Sequence, residues 1–164
     1  MANSYYQIYI HSVFAVKFRN AIIDNEWKKE LNAVIGNIIN ERGCETIIVN
    51  GVEDHIHCLF KLKSTETISD VMKNAKARSS KWINDNNLTD ERFEWQNGYG
   101  AFSYSKSQIP QVYNYILNQE EYHKNQLFRD EYIDILEKFG IDFDEKYLFE
   151  DLIETISPIG TVIS

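Results

Sequence analysis

Two apolar runs, Glu45 to Val49 and His55 to Leu62, flank Asn50-Gly51, the strongest short turn signal in the chain. Both turn residues tolerate the positive φ that a tight hairpin demands, so the stretch predicts an antiparallel strand pair, with Val52 to Asp54 available to lengthen the loop. The second arm carries His55-Ile56-His57. Alternate residues of a strand face one side, so the two imidazoles stand together while Ile56 turns the other way. Such a pair is half of a metal site or, taken alone, two surface or hydrogen-bonded rings.

Periodicity and punctuation predict the elements around this hairpin. Tyr5 to Phe18 is β-branched and aromatic, long enough for a central strand. Asp24 suits an N-cap, Trp27, Leu31, Val34, Ile35, Ile38 and Ile39 recur at helical spacing, and Gly43 suits a left-handed C-cap. Thr67 or Ser69 can cap a second helix to about Asn84, packed through Ile68, Val71, Met72, Ala75, Ser79 and Trp82. Phe93 to Tyr104 reads as a fourth strand, broken or bulged at its glycines. The order βαββαβ predicts a ferredoxin-like α+β sandwich, an antiparallel sheet with helices on one face. Pro110 then fits the first turn of a third helix running to about Gln126. Four residues of helix advance about 400°, so Tyr115 and Gln119 address one point in space, whereas Tyr113 lies about 200° away from Tyr115. A short helix around Glu131 to Phe139, stopped by Gly140, and an acidic end follow.

With 164 residues and 43% apolar side chains, one core is expected: a single domain over 1–164, its body at about 5–126 and an acidic tail at about 127–164. Residues 1–110 carry 13 Lys and Arg against 13 Asp and Glu, while residues 111–164 carry 4 against 12, so the whole net charge of −8 lies in the last third. That balance argues against broad coating of DNA. It leaves room for a local basic groove, because exposed charges beyond roughly 10 Å are largely screened. No apolar run reaches the ~18 residues of a membrane span, and Met-Ala-Asn-Ser-Tyr-Tyr is not a signal peptide, so a cytoplasmic protein without membrane contact is expected. Cys44 and Cys58 lack metal-site spacing and read as buried free thiols.

Taken together, four segments resemble the HUH single-strand DNA transposases of small insertion sequences, the one-tyrosine TnpA kind of the insertion-sequence two-hundred type. They are Asp54-His55-Ile56-His57, Lys76 to Asn84 (KARSSKWIN), Trp95 to Ser103 (WQNGYGAFS) and Tyr115-Ile116-Leu117-Asn118-Gln119. The resemblance spans most of the chain. It implies a metal-dependent nuclease and strand transferase acting on single-stranded element ends folded as hairpins. In such enzymes two histidines and a glutamine hold a divalent ion, magnesium or manganese, and a tyrosine attacks the DNA; the matching residues are His55, His57, Gln119 and Tyr115. It also implies a homodimer in which the helix of one subunit can serve the metal site of the other; the polar segment Ser103 to Gln108 before that helix is the expected hinge.

Other residues keep two readings. Lys73, Lys76, Arg78 and Lys81 on the second helix either hold DNA phosphates or form a solvated face. Trp82, Trp95 and Tyr99 either stack on unpaired bases or belong to the core. Glu53 and Asp54 either orient the imidazoles or are solvated loop acids. His11 and His123 carry no assigned role, and Asp142 to Glu145 lacks the glycine and glutamate of a calcium loop. Two alternatives stand beside this reading: a domesticated relative that binds or nicks hairpin DNA and shares every residue named here, and a noncatalytic ferredoxin-like nucleic-acid-binding module for which His55 and His57 are incidental.

Overall fold

Strand β1 (Tyr9–Ala15) is buried at all seven positions, as a strand flanked on both edges and both faces must be. It pairs antiparallel with β3 (His55–Lys61) on one side and β4 (Gly100–Tyr104) on the other. β2 (Glu45–Val52) adds to β3, giving the order β2-β3-β1-β4. With α1 (Lys28–Glu41) and α2 (Ile68–Asp85) between the strands, this is the ferredoxin-like βαββαβ order predicted from the sequence. The computed structural model describes residues 3–153 and the strand residues 155–156 and 162–163.

Alternation along the strands divides the sheet into two faces. Phe14, Ile56 and Phe60 meet Leu31, Ile35 and Ile39 of α1 and Val71, Met72 and Ala75 of α2. Each such side chain contributes about 1.5–3 kcal/mol on full burial. Two of the predicted caps form: Thr67 Oγ1 accepts the Asp70 amide at 3.1 Å, and Gly43 takes φ +84, whereas Asp24 accepts the Glu26 amide in a turn ahead of α1, whose N-cap is Trp27 without a side-chain hydrogen bond. Cys44 and Cys58 are buried free thiols.

The opposite face carries His11, Val13, Ala15, His55, His57 and Leu59, and is covered by three later helices. In α3 (Ile109–Leu117), Val112 and Ile116 pack on Leu59. A single turn, α4 (Gln119–Tyr122), leads to α5 (Phe128–Lys138), whose Phe128, Tyr132 and Leu136 join Leu148 and Phe149 over Val13, Ala15 and Phe102. The segment expected as an acidic tail therefore begins with a packed helix, ended by Gly140 at φ +64. Its acidic run 142–145 is exposed, and parts of 154–164 lie outside the described residues. No helix among the described residues is long and apolar enough to cross a membrane.

Two local expectations are corrected, for one shared reason. Asn50, Gly51 and Val52 pair in register with His57, Ile56 and His55, so the hairpin turns at Glu53-Asp54 rather than at Asn50-Gly51. Gly51 is required by close approach: a Cβ there would lie 2.1 Å from the His55 carbonyl oxygen. Asn50 serves α3 instead, its amide donating to the carbonyls of Ile116 (2.9 Å) and Leu117 (3.2 Å). Those oxygens would otherwise accept from residues 120 and 121, so the third helix breaks at Asn118 instead of continuing to Gln126. The fourth strand is regular only from Gly100; Trp95 makes an isolated bridge to Val16, and Gly98 at φ +85 interrupts the run.

Candidate active site

Strand alternation puts His55 and His57 on the face beneath α3, α4 and α5, where both are fully buried. His55 Nδ1 meets Asp54 Oδ1 at 2.7 Å; its Nε2 lies 3.0 Å from Gln119 Oε1 and 3.5 Å from Glu131 Oε1. His57 Nδ1 meets His11 Nε2 at 2.7 Å, and its Nε2 lies 3.1 Å from the same Glu131 oxygen. The other Glu131 oxygen is 2.7 Å from His123 Nε2, whose Nδ1 meets the Gln126 carbonyl at 2.8 Å. Phe128, one turn before Glu131, lies flat on the His55 ring at 3.9 Å between centroids.

The charges in this cluster follow from burial and these contacts. Burial opposes the charge of Glu131, yet its hydrogen bonds with His123, His55 and His57 outweigh that and hold its carboxyl well below the usual range. Burial likewise opposes charge on His55, but Asp54 and Glu131 raise its pKa overall. His57 is pushed down to about 4, chiefly by burial, and His11 falls well below its ordinary value for the same reason, with His57 adding to it.

Tyr115 comes in from α3 on the same side. Its ring stands edge-on to His57 with centroids 5.6 Å apart, and its buried hydroxyl makes no hydrogen bond among the described residues. Burial first, then the negative charge of Glu131, push its pKa upward. A cleft of about 320 Å³ between α3 and α5 is bordered by Tyr104, Tyr115, Tyr122, Glu131 and Asp134.

The donor set fits a divalent cation. One ligand atom each from His55, His57 and Glu131 lie within 4.8 Å of one another, and the Gln119 oxygen adjoins them. Both imidazoles are anchored through Nδ1, which leaves both Nε2 atoms aimed at one place, the arrangement that oriented metal-ligating histidines adopt. Imidazole, carboxylate and amide oxygens together suit several divalent ions, so the donors alone select none.

His55, His57, Gln119 and Tyr115, singled out in the sequence, are thus brought together, and Asp54 orients His55. The four basic residues of α2 are not brought to this site: α2 packs on the opposite face of the sheet. There Lys76 donates to the carbonyls of Gln96 and Gly98, Arg78 pairs with Glu41, Lys81 pairs with Asp85, and Lys73 is exposed. Trp95 belongs to the core, its indole donating to Ser79. Glu131, His123 and His11 escaped the sequence reading. For Glu131 a signal exists: it occupies the stripe of Phe128, Tyr132 and Leu136, an acid on an otherwise apolar helix face.

The family described as "Transposase IS200 like" matches residues 4–119, well over half of the sequence. The chain belongs to the IS200-like transposase family. Members cleave single-stranded DNA through a tyrosine, and this chain is a transposase of that type. The ISDra2 transposase TnpA of Deinococcus radiodurans is 24% identical over 121 residues, 71% of this chain and 86% of the relative. Among solved structures, a Deinococcus radiodurans protein assigned as a transposase has a TM-score of 0.58 at 21% identity, covering 73% of this chain and 95% of that one. A REP-associated tyrosine transposase bound to a REP hairpin has a TM-score of 0.55 at 12% identity, covering 92% and 91%. The family match ends at Gln119, so His123 and Glu131 lie beyond it.

Proposed function

We propose that this transposase cuts and rejoins single-stranded DNA at hairpin ends through Tyr115, with Mg2+ or Mn2+ held by His55, His57, Gln119 and Glu131. The convergence of a phenol, two anchored imidazoles, an amide and a carboxylate in one buried cluster carries this reading. When bound, the cation supplies charge stabilisation for the non-bridging phosphate oxygens and favours the ionised phenol. Tyr115 supplies the nucleophile: its Oη bonds to phosphorus, the bond from phosphorus to the 3′-oxygen breaks, and the phenol proton passes to that oxygen. The products are a 5′-phosphotyrosine and a free 3′-hydroxyl. Because one phosphate ester replaces another, the 3′-hydroxyl can reverse the attack without a nucleotide cofactor.

Asp54 holds the His55 ring, and Asn50 ends α3 where Gln119 can turn inward beside His55. The cleft between α3 and α5 offers the strand a path to Tyr115. The hairpin in the REP-associated structure supports hairpin DNA as the substrate class. A homodimer working in the cytoplasm is the proposed setting.

The test uses labelled hairpin DNA from the flanking sequence, incubated with Mn2+ or Mg2+ and run on a denaturing gel. A covalent adduct is expected with the wild type and Tyr113→Phe, and none with Tyr115→Phe or after chelation. Hairpin binding with no adduct in the wild type overturns the proposal.

A further inference from the structure

Asp54 anchors His55 through the ring nitrogen that faces away from the cluster, but among the described residues no carboxylate does this for His57. The atom in that place is Nε2 of His11, 2.7 Å from His57 Nδ1, with the two rings 5.0 Å apart and 23° from parallel. His11 comes from β1. In register Val13 faces His57 and Leu59 faces His11, so the two histidines are diagonal neighbours on one face of the sheet. The His11 ring is buried, and its other nitrogen, Nδ1, has no hydrogen-bond partner among the described residues. A phenyl ring would fill the same space without an unmet buried nitrogen, so packing alone does not account for a histidine here.

We propose that His11 is a positioning residue that accepts a hydrogen bond from His57 Nδ1 and so holds His57 in the tautomer whose Nε2 lone pair is open to a cation. This rests on the metal-binding reading of the cluster. A neutral imidazole carries one proton. With that proton on Nε2, His57 donates to Glu131 at 3.1 Å and has no lone pair left on that side. With it on Nδ1, the acceptor at hand is His11 Nε2, which can accept only when the His11 proton sits on its own Nδ1. The pair therefore has two arrangements that keep their shared hydrogen bond and differ only in where each ring carries its proton. Cation binding selects the second.

Calorimetric titration of the full chain with Mn2+ tests this directly, using wild type, His11→Phe and His11→Gln, with thermal unfolding of the metal-free proteins as the folding control. His11→Phe is expected to fold and to lose about 10- to 100-fold in Mn2+ affinity, whereas the Gln amide oxygen can accept the same hydrogen bond and recovers most of it. Nitrogen chemical shifts of the wild-type histidines provide a readout independent of any variant: saturating Mg2+ is expected to move the His57 proton from Nε2 to Nδ1. Equal Mn2+ affinity in a folded His11→Phe protein overturns the role of His11 and leaves the metal site standing, whereas a His57 proton that stays on Nε2 with Mg2+ bound overturns both the role of His11 and that of His57 as a ligand. A wild type that takes up no Mn2+ overturns both.

Discussion

Oε1 of Glu131 lies 3.1 Å from Nε2 of His57, although the two residues are 74 positions apart and one belongs to a strand that the resemblance marks, the other to a helix beyond it. The face that carries the histidines is thus assembled from both ends of the fold. β3 presents the imidazoles, α3 and α4 bring Tyr115 and Gln119, and α5 closes the cluster with a buried carboxylate.

Removing that carboxylate separates its two roles. Glu131→Ala leaves His123, His55 and His57 without their shared anion and is expected to destabilise the metal-free chain by about 3–5 kcal/mol, the range for breaking a buried ion pair. Glu131→Gln keeps the shape and is expected to remain folded while Mn2+ affinity drops about 10- to 100-fold. Denaturant melts and calorimetry read the two effects.

The pH dependence of stability has a defined sign. His57 has a pKa of about 4 in the fold against 6.5 ordinarily, so between those values only the unfolded chain takes up the proton and stability falls as pH drops. His11 is shifted the same way, by burial. Asp54 and Glu131, both lowered, contribute fully above the unfolded carboxylate range and lose that contribution as pH falls through their folded values. His55 opposes the trend, since its raised pKa contributes fully below 6.5 and fades as pH rises past the folded value. Taken alone, the His57 shift corresponds to a loss of about 2 kcal/mol from pH 7 to 4.5, seen as a Tm lower by about 4–8 °C. Scanning calorimetry across that range measures it.

Asn50 couples the hairpin to the end of α3. Asn50→Ala leaves the Ile116 and Leu117 carbonyls without this partner and is expected to cost about 1–2 kcal/mol of stability. It also frees α3 to continue past Asn118, so cleavage is expected to slow more than hairpin binding weakens. Comparing kcat with binding affinity checks that split.

These residues also mark what was legible in the sequence. The order of strands and helices along the chain, both long helices, the Thr67 cap and the Gly43 cap followed from periodicity and punctuation because each is specified locally, whereas Asp24 stays in the turn before α1. Asn50-Gly51 carried a true signal with the wrong local meaning: the glycine answers a backbone approach and the asparagine a helix end, and neither partner is near in sequence. His55 and His57 were readable because they keep the period of β3, whereas Tyr115 and Gln119 were paired by a helical period that the break at Asn118 interrupts, and they meet the cluster from two successive helices. Glu131 and His11 were not readable, since their partners stand 74 and 46 residues away and only the packing of α5 and β1 brings them together. The basic face of α2 had the right composition for DNA, but the sheet lies between it and the histidines.

In this chain Tyr115 stands beside the histidines of its own subunit, with ring centroids 5.6 Å from His57. Mixing His55→Ala with Tyr115→Phe protein is therefore expected to restore no cleavage. Substantial rescue would mean that α3 crosses between subunits during the reaction.

The most direct measurement is to digest the Mn2+-dependent protein–DNA adduct and locate the nucleotide-bearing residue by mass spectrometry. The account predicts a phosphodiester on Tyr115, lost on chelation. A nucleotide on Tyr113, Tyr122 or any other side chain would contradict it.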